Sequence, residues 1–141
     1  MVDAISERFS DEVATAPRGV RIVNVNADLP LLETAVGVSA RHLVCSKFMV
    51  RVVEVKDASL DIKAEQASEH LLLVLDGEMQ LNSAGELRPV QAGEVVVISG
   101  SNANHTVSST GLSRCLIIDA PPSVALVREL FHLEHHDHGF D

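Results

Sequence analysis

The sequence has no tryptophan, no tyrosine and four phenylalanines. Single-stranded nucleic acid is gripped on aromatic platforms, so that class of partner is not expected. Positive charge is short as well, with eleven Lys and Arg against twenty Asp and Glu and a formal net charge of −9. A chain of that sign repels a phosphate backbone, and no helix pair suited to a DNA groove is visible. No apolar run approaches the ~18 residues that a membrane helix needs. The opening residues, Met1-Val-Asp-Ala-Ile-Ser-Glu-Arg8, lack the basic and apolar regions of a secretion signal. The expectation is a soluble, cytoplasmic protein with no membrane and no nucleic-acid partner. Cysteine is scarce: Cys45 and Cys115 each sit in an apolar run. Buried thiols behave as small hydrophobes, and a bridge between these two stays open from sequence.

What is present is β-prone and tightly punctuated. Hydrophobic residues make up 46% of the 141, and 22% are charged, which argues for one packed domain. From Ala64 to His105, strand-like runs alternate with turns: Leu71–Leu75 before Asp76-Gly77, Glu78–Leu81 before Ser83-Ala-Gly85, Leu87–Gln91 before Ala92-Gly93, and Glu94–Ile98. Short strands at that spacing point to an all-β sandwich or barrel. Upstream, Val20–Val25, Arg41–Cys45, Phe48–Val55 and Leu60–Gln66 read as strands, with a turn at Lys56–Ser59. Downstream, Thr106–Gly111 and Ser113–Ile118 complete the β part. In Phe48–Val55, Met49, Arg51, Val53 and Val55 share one face; in the Leu71 strand, His70, Leu72 and Val74 do. Pro121-Pro-Ser123 then gives a stop and an N-cap, and Val124, Val127, Leu130 and Phe131 form a helical stripe ending near Glu134. The division expected is an N-terminal arm at 1–18, a β domain at 19–120, and a C-terminal helix with a His-rich tail at 121–141.

The central stretch resembles the cupins, small β-barrels with two sequence motifs. Val74-Leu-Asp-Gly77 is similar to the turn closing the first motif, Gly93 opens the second, and His105 lies close to the second motif's histidine. The resemblance implies an all-β, single cupin-type barrel (a jelly roll) with a short C-terminal helix. It also implies a metal held by three His and one Glu, and here the chain departs from the pattern. Ala64 and Gln66 stand where two of the histidines would be, and His70 stands where the Glu would be.

Two function classes follow. In the first, the barrel binds a small organic molecule without that metal site, using His70 and His105 as acid–base groups, Gln66 and Arg51 as polar contacts, and Leu72 and Val74 as apolar wall. In the second, a metal-dependent oxygenase or isomerase uses a rewired set of His70, His105 and Gln66, completed by water or Glu65, on Zn, Fe, Ni or Cu. A plugged barrel serving only for dimerisation is a third possibility. Arg51 has an alternative as a solvated or salt-bridged side chain on an edge strand. His42 reads as a surface or packing residue without a partner. In the tail, His132 and His136 are four apart, near His135 and His138, and would face together if the helix continued. Leu71, Leu73 and Leu75 leave the outer face of their strand apolar, which calls for cover by the C-terminal helix or by a second copy, and a homodimer is expected.

Overall fold

Two long strands carry the architecture: β3 (Met49–Ala64) and β8 (Ala103–Ala120) pair antiparallel from Met49↔Asp119 to Ala64↔Ala103. Their register shifts between Lys56 and Ala58. There Asp57 sits at φ 48° and its carboxylate accepts from the Gly111 amide at 2.7 Å. The sequence pattern places a turn at Lys56–Ser59 and ends one strand at Gly111 before the next begins at Ser113. The structure corrects this: both points are bends within continuous strands, because a bulge absorbs the extra residue without ending the pairing.

The computed structural model describes residues 19–65, 67–100 and 103–139, with the side chains of 103 and 134–139 excepted. The remaining strands are β1 (Leu32–Ala35), β2 (Val38–Val44), β4 (Glu69–Asp76), β5 (Glu78–Ser83), β6 (Glu86–Gln91) and β7 (Val95–Ser99). The first half of β3 and the second half of β8 lie in the order β1-β2-β3-β8-β4-β7. The other halves continue into β5, which pairs with β8 and β6. This is the two-layer layout of a jelly roll, with no pairing between β6 and β7. The β5–β6 hairpin closes on Ala84 and Gly85, both at positive φ, as a two-residue turn matched to strand twist requires.

The predicted alternation holds. Met49, Arg51, Val53 and Val55 are all buried on β3, as are His70, Leu72 and Val74 on β4. The main core runs between the layers through Val53, Val55, Ile62, Leu72, Val74, Met79, Val107 and Ile117. Two local readings fail. Val20–Val25 forms no strand; the segment ends in a one-turn helix, α1 (Val25–Asp28), capped by the Asn24 side chain, which accepts from the Ala27 amide. An Asx cap outcompetes β propensity when no neighbouring edge is in reach. The C-terminal helix, α2 (Val124–Gly139), runs past Glu134 through the His-rich tail. Ser123 caps it as expected, accepting from the Leu126 amide at 3.2 Å. Its packed stripe is Leu126, Val127, Leu130 and Leu133 against Leu32, Met49 and Val44, whereas Val124 is exposed. Phe131 stacks on His132. The helix therefore covers one end of the molecule and leaves Leu71 and Leu75 exposed on the outer face of β4.

Candidate functional site

β2, β3, β4 and β8 aim four polar side chains into an otherwise apolar interior. His42 on β2 is directly opposite Arg51 on β3, and His70 on β4 is directly opposite Asp119 on β8. All four are buried, at 8%, 6%, 7% and 2% exposure. Arg51 reaches diagonally to Asp119, with Nε on Oδ2 at 2.8 Å and Nη2 on Oδ1 at 3.1 Å. His70 Nδ1 meets the same Oδ1 at 2.7 Å. A carboxylate already accepting from a guanidinium at both oxygens receives an imidazole hydrogen as well, so His70 donates from Nδ1. Its other nitrogen, Nε2, lies 3.1 Å from the buried Ser68 hydroxyl, which is 2.6 Å from the Glu65 carbonyl. Gly100 seats that turn: its amide donates to Ser68 O at 2.7 Å, and a Cβ there would overlap Glu65 O. Both ring nitrogens of His70 are thus engaged by protein.

His42 differs. Its Nδ1 is buried and makes no hydrogen bond. Burial first, and then the Arg51 charge, lower its imidazole from 6.5 to about 3, against a smaller opposing pull from Asp119. The ring is neutral at physiological pH, with one nitrogen open to a partner. It lines a cavity of about 370 Å³ together with Arg51, His70 and Asp119, apolar Val38, Val53 and Ile62, and the first turns of α2. Arg51 is salt-bridged, as one alternative had it, but it is buried on β3 between β2 and β8 rather than solvated on an edge strand.

His105 is elsewhere. On β8 it sits beside Ile62 of β3 and Ser83 of β5, and its Nδ1 is 2.9 Å from the Ser83 hydroxyl. Its Nε2 is buried without a partner, and the residue lines a second cavity of about 540 Å³ together with β6 and β7. The pairing of His70 with His105 in one cluster does not form: each lines its own cavity. Gln66 lies outside the described residues. Leu72 and Val74 are fully buried core residues and line neither cavity. Glu65 is exposed and contributes its carbonyl to Ser68. Both cysteines are free; burial pushes the Cys115 thiol up to about 11, against a smaller opposing effect of Arg51, leaving it inert. His132 and His136 lie on one continuous helix, and the side chains of His135, His136 and His138 lie outside the described set.

No protein-family model matches the sequence, and no curated protein is similar to it. Solved structures are similar in fold. An RmlC-like cupin from Shewanella frigidimarina superposes with a TM-score of 0.65 at 13% identity, over 76% of this chain and 96% of that one. The fold is that of the cupins. Ectoine synthase from P. lautus gives 0.64 at 14% identity over 79% and 86% of the two chains. KdgF from Halomonas sp. gives 0.63 at 16% over 77% and 98%.

A cupin's usual metal is tested here by the donors available. Among the described residues no group of three or more His, Cys, Asp or Glu is gathered to hold an ion. His70 has no free ring nitrogen, Ala64 offers no donor, and the Arg51 guanidinium already occupies the Asp119 carboxylate. A fixed cation at that carboxylate opposes a second one. These residues do not fit the metal.

His42, Ser68 and Asp119 were missed from sequence. Two of the three carried a faint signal. His42 follows Val38 and Ala40 in phase, and Asp119 follows Cys115 and Ile117 in phase, so each is a polar residue on a buried face. Ser68 sits in a turn and had no such pattern.

Proposed function

We propose that this cupin-fold protein binds a small, uncharged organic molecule in the cavity beside His42. The observation that carries the reading is a cavity of about 370 Å³ lined by His42, a neutral imidazole whose buried Nδ1 no protein group engages. That size suits a small metabolite, and apolar walls with a few convergent polar groups are the usual form of such a site. Charge sets the class. Arg51 and Asp119 neutralise each other and His42 is neutral, so these buried groups offer hydrogen bonds rather than a net charge, while the charged Asp61, Lys63 and Glu129 that also line the cavity are exposed to water. A neutral imidazole, a hydroxyl-bearing or carbonyl-bearing ligand and the remaining Arg51 nitrogen Nη1 make a complementary set.

Within this reading His42 is the group that touches ligand, and His70 is a positioning residue that holds Asp119 and, through it, Arg51. An acid–base role falls to His42 for the same reason: among the histidines lining this cavity it is the one with an unpartnered ring nitrogen. The metal-dependent oxygenase or isomerase on His70 and His105 is the weaker reading, since neither the separation of those rings nor the engaged nitrogens of His70 supports it.

The test is a thermal-shift screen of neutral polyols, lactones, amides and keto compounds against the full chain and His42→Leu. A ligand that stabilises the parent should lose at least about tenfold in affinity in His42→Leu. His42→Leu should itself be no less stable without ligand, because leucine leaves no buried nitrogen unpaired. Hits that bind both proteins equally, or about one equivalent of transition metal per chain lost in both His70→Ala and His105→Ala, would overturn the proposal.

A further inference from the structure

Five strand edges are free of pairing among the described residues: β1, the second half of β2 with Arg41 on it, the second half of β3, β6 and β7. A free edge invites another strand, and proteins blunt it with charge, proline, bulges or brevity. β1 has four residues, a bulge between Glu33 and Ala35, and α2 beside it. The second half of β3 exposes Asp61 and Lys63. β6 carries Glu86, Arg88 and Pro89. β7 carries none of these: it reads Val95-Val-Val-Ile-Ser99, uncharged and paired with β4 without a register shift. Its outward side chains, Val95 and Val97, are 50% and 65% exposed. They continue inward across the sheet as two apolar rows, Val97–Leu71–Ile118 and Val95–Leu73–Leu116.

We infer that β7 is the contact edge of a homodimer, pairing antiparallel with β7 of a second copy about a two-fold axis at Val97. The strand fits itself. That register sets Val97 against Val97, Val96 against Ile98 and Val95 against Ser99, so like faces meet and outward and inward positions stay matched. Glu94 falls opposite Gly100, so no like charges face each other although the chain carries −9. Both apolar rows then run unbroken across the axis, and the partner's strand covers the seam between β6 and β7. Residues 1–18 are a poorer occupant: Asp3, Glu7, Arg8, Asp11 and Glu12 would set charges along an apolar edge.

The test is light scattering of the full chain at micromolar concentration, with hydrogen exchange of the β7 amides. The parent should be a dimer in which the alternate amides of Val95–Ser99 that point away from β4 are protected as well as those paired with it. Val97→Lys and Val97→Glu, each placing like charges on the axis, should be monomers, with dissociation constants raised on the order of 100-fold. Mixing the two variants should restore a dimer, which a misfolded variant could not do. A monomeric parent overturns the inference, as does a folded Val97→Lys that remains a dimer. Protection, in a monomer, of the β7 amides that point away from β4 overturns it too, and would assign the edge to the chain's own N-terminal residues.

Discussion

The lowered basicity of His42 makes a signed prediction about acid stability. In the folded chain the ring stays neutral down to about pH 3, whereas in the unfolded chain it takes up a proton near its ordinary value of 6.5. Between those limits the unfolded state binds the extra proton, so stability falls as pH drops. The contribution is complete above pH 6.5 and erodes through the window from 6.5 to about 3. One proton costs about 1.4 kcal/mol per pH unit, so moving from pH 7 to pH 5 removes about 2 kcal/mol. Most small domains have about 5–15 kcal/mol in total, which makes that loss measurable. The comparison is with His42→Gln, which retains a polar side chain but does not titrate. Without tryptophan or tyrosine, fluorescence is a poor probe, so urea unfolding is followed by far-ultraviolet circular dichroism at each pH. The parent should lose about 2 kcal/mol more than the variant over that interval. Parallel pH profiles for the two proteins would refute the reasoning and place His42 in water.

Asp119→Asn removes one partner of a buried ion pair and leaves the Arg51 charge uncompensated. It should cost about 3–5 kcal/mol, whereas the double change Arg51→Met with Asp119→Leu should cost less than the single one, read by the same unfolding assay. Gly100→Ala places a methyl against the Glu65 carbonyl and the Ser68 amide. Destabilisation by about 1–3 kcal/mol is expected, and a neutral result would show that the Glu65–Ser68 turn is free to shift.

The strands were legible because period-two patterns in β3, β4 and β8 leave no other way to bury Val53, Val74 and Ile117 together. Their continuity was not. A bulge at Asp57 and a turn at Asp57 look alike in sequence, since Asp and Gly serve both. The site was half legible. Arg51 and His70 were named from their in-facing phase, but their partner Asp119 is sixty-eight residues from Arg51 and comes to it only through the β3–β8 register. Motif spacing pointed to His105 because a spacing rule assumes the family's barrel interior. Here Ile62 and Ile98 are buried beside His105 and His70, and the two imidazoles face different cavities.

The decisive physical point is where polar satisfaction stops. Inside the layer, Asp119 accepts from Arg51 and His70, His70 reaches Ser68, and Ser68 reaches the Glu65 carbonyl, so each member of that chain has a partner. A network closed in this way rigidifies a core and needs nothing from outside. The chain ends one strand away at His42, whose Nδ1 is left bare. An unpaired buried nitrogen costs about 1–3 kcal/mol, and a leucine at the same position would avoid the cost. Under the function proposed above, a ligand that bonds to this imidazole offsets that cost. The closed network beside it then has a use as well. By fixing Arg51 and the wall of β8, it would present a cavity already shaped, so that a ligand pays little for ordering the protein. On that proposal Asp119 and His70 act on binding through this rigidity, and His42 acts by contact.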